Sequence, residues 1–261
     1  MFPRRALVLL LCVLGGAAVA LLLMPRIVRS SRHDSSRLCA ILDDLRSRPA
    51  PPLVLLGNSA GMLGVDARAL GGWNLCSPAQ TLGEGLLLQQ KLPPTVKVVV
   101  QLATALQLSA NITVESDHAN ALVMCGGKPS LADRFYARRH VRAAIEGFAR
   151  PSGGGWLPEQ RFVDLEDARL EMRAHQLRIL RDAAALAARE RRRYVVVLAP
   201  IHPRMKTGVI RCPEGLDCID LTRLLTAGGF RDPTHPNDAG ARKLTKAIRD
   251  ALTARRLLLE G

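Results

Sequence analysis

Two short segments near opposite ends of the chain contain residues that together suit nucleophilic catalysis. Ser59 follows Gly57 and Asn58 at the end of an apolar run, and Asp232 precedes His235 by three residues. A serine hydroxyl needs a base to accept its proton, and histidine titrates near neutral pH. The histidine needs an acid that fixes its tautomer and stabilises the imidazolium. We therefore predict Ser59 as the nucleophile, His235 as the general base and Asp232 as its orienting acid.

The same three residues have structural interpretations that the sequence leaves open. Ser59 can serve only as a helix N-cap, which is a common role for serine at the start of a helix. His235 can be a loop histidine with a structural hydrogen bond, and Asp232 can be a turn residue before a proline. Pro233 and Pro236 flank the histidine and stiffen the loop, which lowers the entropic cost of holding an acid and a base together.

Alternating strands and helices are predicted to position these segments. Buried strands are predicted from apolar runs at residues 53–56, 74–76, 96–102, 194–199 and 218–220. Helices are predicted at residues 36–46, 59–70, 82–91, 133–148, 164–192 and 238–254. This alternation is typical of a parallel sheet covered by helices on both faces, with functional residues at the carboxyl ends of the strands. Ser59 lies just past one such end.

Length and composition favour one folded α/β domain. The chain has 261 residues, of which 48% are hydrophobic and only 3% are aromatic. The scarcity of aromatic residues argues against a nucleic-acid platform built on base stacking. The net charge of +14 favours anionic partners, which are phospholipid headgroups, acidic polysaccharide or nucleic acid, although arginines on solvated helix faces also explain it. Together with the membrane segment described below, the charge favours an anionic envelope surface over DNA. The sequence contains no phosphate-binding glycine loop or metal-ligand spacing, so we expect neither a cofactor nor a metal.

The N-terminal segment is predicted to anchor the chain in a membrane. Residues 6–24 contain no charge and nearly match the roughly 30 Å hydrocarbon layer when helical. A cleaved signal peptide is the alternative, because residues 18–20 resemble a small-residue cleavage site. We therefore predict an anchor and basic stalk over residues 1–35, and a domain over 36–261 that lies outside the cytoplasm.

Six cysteines leave the disulfide pattern open. Cys212 and Cys218 bracket a five-residue loop and would close a small ring in an oxidising compartment. Cys76 and Cys125 are a possible second pair, which leaves Cys39 unpaired. The alternative is that most of these cysteines are small buried hydrophobic residues.

The two polar segments resemble the motifs of one enzyme superfamily. Gly57-Asn58-Ser59 after a buried strand, with Asp232-Pro-Thr-His235-Pro-Asn-Asp-Ala-Gly240 near the end, resembles the SGNH (GDSL-type) hydrolase superfamily over roughly residues 50–255. The chain is most similar to membrane-anchored envelope branches, such as the D-alanyl transfer protein and the alginate O-acetylation proteins. The resemblance implies a three-layer α/β/α sandwich, acyl-ester chemistry, and the catalytic roles predicted above.

The middle motifs of the superfamily differ in this chain. The resemblance implies an oxyanion donor at Ala79, where the family has a glycine, and another at Gln101, near the position of the family's asparagine. It also implies that Asn58, where aspartate is common, belongs to the oxyanion or substrate-binding residues. Losing one oxyanion donor typically costs about 100- to 1000-fold in turnover. The departures therefore put hydrolytic efficiency in question while leaving the triad possible.

Three functional hypotheses follow from the sequence. The first is a membrane-anchored serine esterase or acyltransferase, acting on an acylated envelope or extracellular polysaccharide. The second is a weakly active or inactive scaffold that binds glycan or a membrane acyltransferase. The third is a basic membrane-associated binding protein in which Asp232 and His235 are spaced by chance, and a structure without a parallel sheet would favour it.

Overall fold

The computed structural model describes residues 11–16, 18–20, 22, 23, 26, 35–78, 80–109, 125, 170–205 and 207–258. The chain divides into two compact units, one with Met1–Leu42 and Asp117–Gly154, the other with Asp43–Ser116 and Gly155–Gly261. All predicted site residues that the structure describes lie in the second unit. The predicted helix at 133–148 and the first six residues of the helix predicted at 164–192 lie outside the described residues.

A parallel sheet forms the centre of the second unit. Its strands are Leu53–Leu56 (β1), Gly72–Asn74 (β2), Val98–Ala103 (β3), Arg193–Leu198 (β4) and Cys218–Asp220 (β5). Their order across the sheet is β2-β1-β3-β4-β5, and every pairing is parallel. The α/β class with a parallel sheet is therefore confirmed. The third hypothesis, a basic binding protein, would have been favoured by a structure without a parallel sheet, so this sheet gives it no support. The bounds of β1 and β5 are those predicted, while the other three strands are shifted by one or two residues.

The chain reverses direction across the sheet between β1 and β3. From β1 it passes to β2 on one side, and the later strands are added on the other side of β1. Ligands of open α/β sheets bind outside the carboxyl ends of the strands at such a switch point. Ser59, which follows β1, is at this point of the topology.

Helices alternate with the strands along the chain. They are Ser35–Ser47 (α1), Ser59–Gly64 (α2), Leu82–Gln89 (α3), Ala105–Ser109 (α4), Ala174–Arg189 (α5) and Asp238–Ala254 (α6), with short 3-10 turns at Arg68–Leu70 and Ala227–Gly229. The bounds of α6 are those predicted. The helix predicted over 59–70 ends at Gly64 because Val65 is extended, and its last turn is a separate 3-10 turn.

The two faces of the sheet pack against different helices. Leu244 and Ile248 of α6 belong to the same buried cluster as Leu55 of β1 and Val100 of β3. Adjacent residues of a strand point to opposite faces, so Gln101 faces away from this cluster. It faces α3, because a Cβ on Gly85 would lie 2.8 Å from Gln101 Oε1. The β1 residues are all buried, as are those of β3, which explains their unbroken apolar sequences.

The structure describes only part of the predicted membrane segment. Within the described part of the chain, every helix is too short or too polar to cross a membrane. Several positions of the predicted membrane segment lie outside the described residues, and the boundary at residue 35 stays a prediction.

Two disulfides are present among the described residues. The predicted Cys212–Cys218 bridge is confirmed. The suggested Cys76–Cys125 pair is wrong, because Cys125 is bonded to Cys39. Cys76 is fully buried and takes part in neither disulfide, and a Cβ on Gly61 of α2 would lie 2.7 Å from its Sγ. The sequence spacing of the cysteines does not distinguish Cys39 from Cys76 as the partner of Cys125. The fold does, because it packs Cys76 against α2.

Candidate active site

The nucleophile turn, residues 57–59, connects β1 directly to α2. Gly57 has φ +155°, and a Cβ there would lie 2.8 Å from the carbonyl oxygen of Leu102 in β3. Only glycine suits this close approach to the neighbouring strand without strain. Asn58 then caps α2, since its Oδ1 accepts a hydrogen bond of 3.0 Å from the N–H of Ala60. Ser59 is therefore the first residue of the helix rather than its N-cap.

The backbone N–H of Ser59 is available for a ligand. It forms no hydrogen bond with any residue that the structure describes, as expected for the first N–H of a helix. An amide at this position can donate to negative charge that develops on an oxygen beside the serine hydroxyl. Ser59 can thus offer both a hydroxyl oxygen and a backbone N–H donor at one place.

The loop before α6 fixes the acid and the base by local hydrogen bonds. Asp232 Oδ1 accepts from the backbone N–H of Thr234 and from that of His235, both at 2.9 Å. The hydroxyl of Thr234 lies 3.1 Å from the same oxygen. An aspartate that closes a turn in this way is a typical local arrangement. The turn places the carboxylate directly beside the imidazole.

His235 joins the two segments through its ring nitrogens. Its Nδ1 lies 2.7 Å from Asp232 Oδ2 and 2.9 Å from Asp232 Oδ1. Its Nε2 lies 2.9 Å from Ser59 Oγ, across 176 positions of sequence. The side chains of His235 and Asp232 are 12% and 21% exposed, so the contacts are shielded but open to a substrate. The structure therefore brings the three predicted catalytic residues into one hydrogen-bonded series.

Backbone pairing and close packing hold the His235 loop in place. Phe230 pairs with Pro236 in an antiparallel bridge, and the N–H of Arg231 donates to the carbonyl of His235 at 3.0 Å. Asn237 caps α6, accepting from the N–H of Gly240 at 2.9 Å. Gly240 has no room for a side chain, because a Cβ would lie 2.1 Å from the carbonyl oxygen of Gly229. These contacts fix the loop on both sides of the histidine.

The electrostatics of Asp232 suit an orienting acid. Burial raises the pKa of Asp232, but hydrogen bonds from Thr234 and His235, together with the charge of His235, outweigh burial, and the pKa lies below its ordinary value. The carboxylate is therefore ionised near neutral pH. An ionised Asp232 holds the proton of His235 on Nδ1 and leaves Nε2 free to accept from Ser59.

The implied oxyanion residues have different outcomes. Ala79 lies outside the described residues. Gln101 is 2% exposed, and its amide donates to the carbonyls of Leu56 and Leu102 at 3.5 and 3.3 Å. The structure thus does not support Gln101 as an oxyanion donor, because it lies within β3 and faces α3 instead of following the strand. Asn58 uses its amide oxygen to cap α2 and its Nδ2 to contact Thr104, and its substrate-binding role stays a prediction.

A polar cluster that was not predicted lies next to the nucleophile turn. It consists of Asn58, Ser77, Gln80, Thr104 and Gln107, of which all but Asn58 are buried. Thr104 immediately follows β3. Because functional residues of a parallel sheet follow the strand ends, this position is the one signal in the sequence that could have marked Thr104 as part of the site. No comparable signal marks Gln80 and Gln107. Their amides are recognisable only once the fold brings them together.

His202 lies behind the His235 loop. It follows β4, is 6% exposed, and packs edge-on against Phe230 with ring centroids 5.1 Å apart. Its Nδ1 accepts from the N–H of Arg204 at 3.2 Å. Burial, and to a smaller extent the charge of Arg204, lowers the pKa of His202. This histidine therefore supports the pair that Phe230 forms with Pro236.

No protein-family model and no curated protein matches the chain. Solved structures do match. One, from Streptococcus pneumoniae and assigned as a platelet activating factor, is 13% identical, with 90% of this chain and 99% of that chain covered and a TM-score of 0.39. Another, from Bacteroides fragilis and assigned as an acylhydrolase, is 11% identical, with 84% and 96% covered and a TM-score of 0.42. At these values the two proteins indicate nothing about the activity of this chain.

Proposed function

We propose that the protein is an SGNH-like serine esterase or acyltransferase that forms an acyl-enzyme on Ser59. The observation that carries this proposal is the series of contacts from Ser59 Oγ to His235 Nε2 at 2.9 Å and from His235 Nδ1 to Asp232 Oδ2 at 2.7 Å. Base and nucleophile are within hydrogen-bond reach, and a third group orients the base, as covalent catalysis requires.

Acylation begins when Ser59 Oγ attacks the carbonyl carbon of an ester while His235 Nε2 accepts the hydroxyl proton. The carbonyl oxygen becomes an oxyanion, to which the Ser59 N–H donates. Collapse of the tetrahedral intermediate breaks the bond to the alcohol, which leaves with the proton from His235. Asp232 stabilises the imidazolium throughout without taking up the proton.

Deacylation repeats these steps with a new nucleophile. Water, activated by His235, releases the acyl group as a carboxylic acid in an esterase. A sugar hydroxyl takes the place of water in a transferase and leaves with the acyl group. The same three residues serve both outcomes, so the acceptor distinguishes the two activities.

Labelling with a fluorophosphonate probe tests the proposed nucleophile. We expect the purified full-length chain to become labelled, and Ser59→Ala to remain unlabelled. His235→Ala should label far more slowly, because the hydroxyl then lacks its base. The nucleophile proposal is rejected if the wild type does not label, or if it labels to the same extent as Ser59→Ala.

We also propose that residues 1–35 anchor the chain in the cell membrane and that its domain lies outside the cytoplasm. The uncharged run at residues 6–24 supports the anchor. The disulfides Cys39–Cys125 and Cys212–Cys218 support an oxidising compartment. If the domain lies outside the cytoplasm, alkaline phosphatase fused to the C-terminus should be active. Green fluorescent protein fused at the same place and exported by the same route should not fluoresce. The reverse result would place the domain in the cytoplasm.

We propose an acylated envelope or extracellular polysaccharide as the substrate, with a membrane acyltransferase as a possible donor partner. The family resemblance supports a glycan, and the net charge of +14 suits an anionic one. The scarcity of aromatic residues argues against nucleic acid. The test is to incubate the protein with acetylated polysaccharide and to measure both free acetate and acetate on an added glycan. Neither product with any glycan, from a protein that labels at Ser59, would refute this substrate class.

The scaffold is the second candidate function, and the position of Gln101 favours it. The amide of Gln101 is buried and donates to backbone carbonyls, so it supplies no oxyanion donor. A scaffold would bind glycan with equal affinity in the wild type and in Ser59→Ala, and would turn over no ester. Turnover that disappears in Ser59→Ala would exclude it.

A further inference from the structure

We propose that Gln107 is a positioning residue that holds the nucleophile turn through the polar cluster. This inference rests on the proposed function, because it assigns Gln107 a task in the reaction of Ser59. Gln107 belongs to α4, the short helix after β3, and is 7% exposed. It touches neither Ser59 nor His235 by any hydrogen bond that the structure describes, so its influence must pass through neighbours.

The side chain of Gln107 joins two separate parts of the chain. Its Oε1 accepts from the backbone N–H of Thr104 at 2.9 Å and from the Thr104 hydroxyl at 3.2 Å. Its Nε2 donates to the backbone carbonyl of Gln80 at 2.7 Å. Both ends of the amide are therefore satisfied by partners that are themselves buried, which fixes the amide orientation.

Each of these partners contacts the nucleophile turn directly. The Thr104 hydroxyl accepts from Asn58 Nδ2 at 3.0 Å, and Asn58 is the residue before Ser59. Gln80 Oε1 accepts from the backbone N–H of Gly57 at 2.9 Å, two residues before Ser59. Gln107 thus reaches the turn by two routes, one on each of the residues that precede the nucleophile.

The segment that contains Gln80 is secured against the same turn. Gln80 Nε2 donates to the Leu75 carbonyl at 3.1 Å and to Ser77 Oγ at 3.2 Å. The backbone N–H of Ser77 donates to the Gly57 carbonyl at 3.1 Å. Gln80 is bonded to Gly57 through its side chain and to Gln107 through its carbonyl, so polar contacts link the carboxyl ends of β1 and β3 and the segment after β2.

Loss of the Gln107 amide would disturb catalysis more than binding. The Thr104 N–H and the Gln80 carbonyl would be left buried without that partner, and unsatisfied groups rearrange to find new ones. Thr104 and Gln80 also hold the nucleophile turn, through Thr104 Oγ1 and Gln80 Oε1, so we expect their rearrangement to shift that turn. A shift of about 1 Å at a reacting group costs about 100-fold in rate. Because Gln107 is buried and forms no hydrogen bond with Ser59 or His235 among the described residues, we expect KM to change little.

Variants that change the amide but preserve its volume test this proposal. In Gln107→Met the side chain keeps its length and loses all three hydrogen bonds of the amide. Thr104→Val removes the hydroxyl with nearly the same shape, whereas Thr104→Ser retains the hydroxyl. Gln89→Met is the matched control, because Gln89 is a fully buried glutamine whose Nε2 donates to the Ala183 carbonyl at 2.8 Å, within the α3–α5 contact.

The measurements are kcat and KM for 4-nitrophenyl acetate, the rate of fluorophosphonate labelling, and the melting temperature. We expect Gln107→Met and Thr104→Val to lower kcat and the labelling rate about tenfold to a hundredfold, with KM within about threefold. Thr104→Ser should recover most of the rate. Gln89→Met should lower the melting temperature but leave kcat within about twofold, because it lies outside the cluster.

The outcomes separate this inference from the proposed function. If the wild type labels at Ser59 and Gln107→Met labels at the same rate, Gln107 is not a positioning residue, although Ser59 is a reactive nucleophile. A loss of kcat in Gln89→Met equal to that in Gln107→Met would show that general destabilisation is the cause, which also overturns the inference. If the wild type does not label at all, the proposed function itself fails.

Discussion

Pro236 packs directly against Gly64, and this contact brings the histidine loop to the nucleophile helix. A Cβ on Gly64 would lie 3.0 Å from Pro236 Cγ and 3.3 Å from Pro236 Cδ. Gly64 ends α2, which begins with Ser59, and Pro236 follows His235. The N–H of Asp66 also donates to Thr245 Oγ1 of α6 at 3.0 Å. The distance between the nucleophile and its base is thus set by packing of α2 on the start of α6.

Replacing Gly64 by alanine should impair catalysis more than folding. The added methyl must push Pro236 away, and the rigid ring transmits the shift to His235. Overpacking costs about 1 kcal/mol or more, but alanine gains about 0.4–1 kcal/mol by restricting the unfolded chain. We expect a small change in the unfolding free energy and a fall in kcat of about tenfold or more. Gly228→Ala is the control, because nothing lies within 4 Å of its added Cβ.

Asp232→Asn should abolish most of the activity while keeping the loop. The asparagine Oδ1 can still accept from the N–H groups of Thr234 and His235, but its Nδ2 faces His235 Nδ1 and favours the wrong tautomer. We expect kcat to fall by about 1,000- to 10,000-fold at neutral pH, with a cooperative unfolding transition and a melting temperature only slightly below that of the wild type. Single-turnover kinetics with 4-nitrophenyl acetate measures the effect. A variant with near wild-type kcat would show that Asp232 only closes the turn.

The pH dependence of stability gives a second test of Asp232. Hydrogen bonds hold the folded pKa of Asp232 below its ordinary value although burial opposes them. The carboxylate therefore stabilises the fold above the unfolded pKa of about 3.9, and this contribution is lost as pH falls through the folded pKa. Urea unfolding at several pH values between about 6 and 3 should show the wild type losing its advantage over Asp232→Asn below about pH 4. A constant difference would contradict the assignment.

The parts of the site that follow from local patterns were predictable from the sequence. The apolar run of β1 ends in a glycine, and the Asp232 turn is closed by hydrogen bonds between residues three or fewer apart, so both are visible in the sequence. The contact between Ser59 and His235 spans 176 positions. It was predicted by chemical complementarity and by resemblance, because nothing in either segment alone encodes their approach.

The parts that depend on side-chain direction were not predictable. Gln101 is the polar residue of β3, and one position of register decides whether it faces α3 or the opposite face. The partner of Cys125 likewise depends on which cysteine the fold places near it. Gln80 and Gln107 have ordinary sequence surroundings, and only the close approach of three strand ends makes them a cluster.

His202 should make folding sensitive to mild acid. Its folded pKa is lowered by burial and, to a smaller extent, by Arg204. The unfolded chain therefore takes up a proton as pH falls below about 6.5, while the folded chain resists it, so stability declines with pH until the folded pKa is reached. In His202→Asn the amide oxygen can still accept from the Arg204 N–H. We expect this variant to lose less stability than the wild type between about pH 7 and 5 in urea unfolding. Parallel losses in the two proteins would exclude His202 as the source.

Peptide mapping of the unreduced protein should identify the two disulfides, and alkylation should show that the thiol of Cys76 is inaccessible. Cys39–Cys125 and Cys212–Cys218 are expected as linked peptides from the oxidised protein. Cys76 is fully buried against α2, so iodoacetamide should modify it only after denaturation. Replacing both Cys212 and Cys218 by serine opens a short ring, which the chain-entropy model values at about 2 kcal/mol. The ring ends at the first residue of β5, the edge strand that β3 and β4 separate from β1. We therefore expect that loss in the unfolding free energy without a change in the rate of Ser59 labelling. Recovery of a Cys76–Cys125 peptide, or modification of Cys76 in the native protein, would contradict the packing of α2 over this thiol.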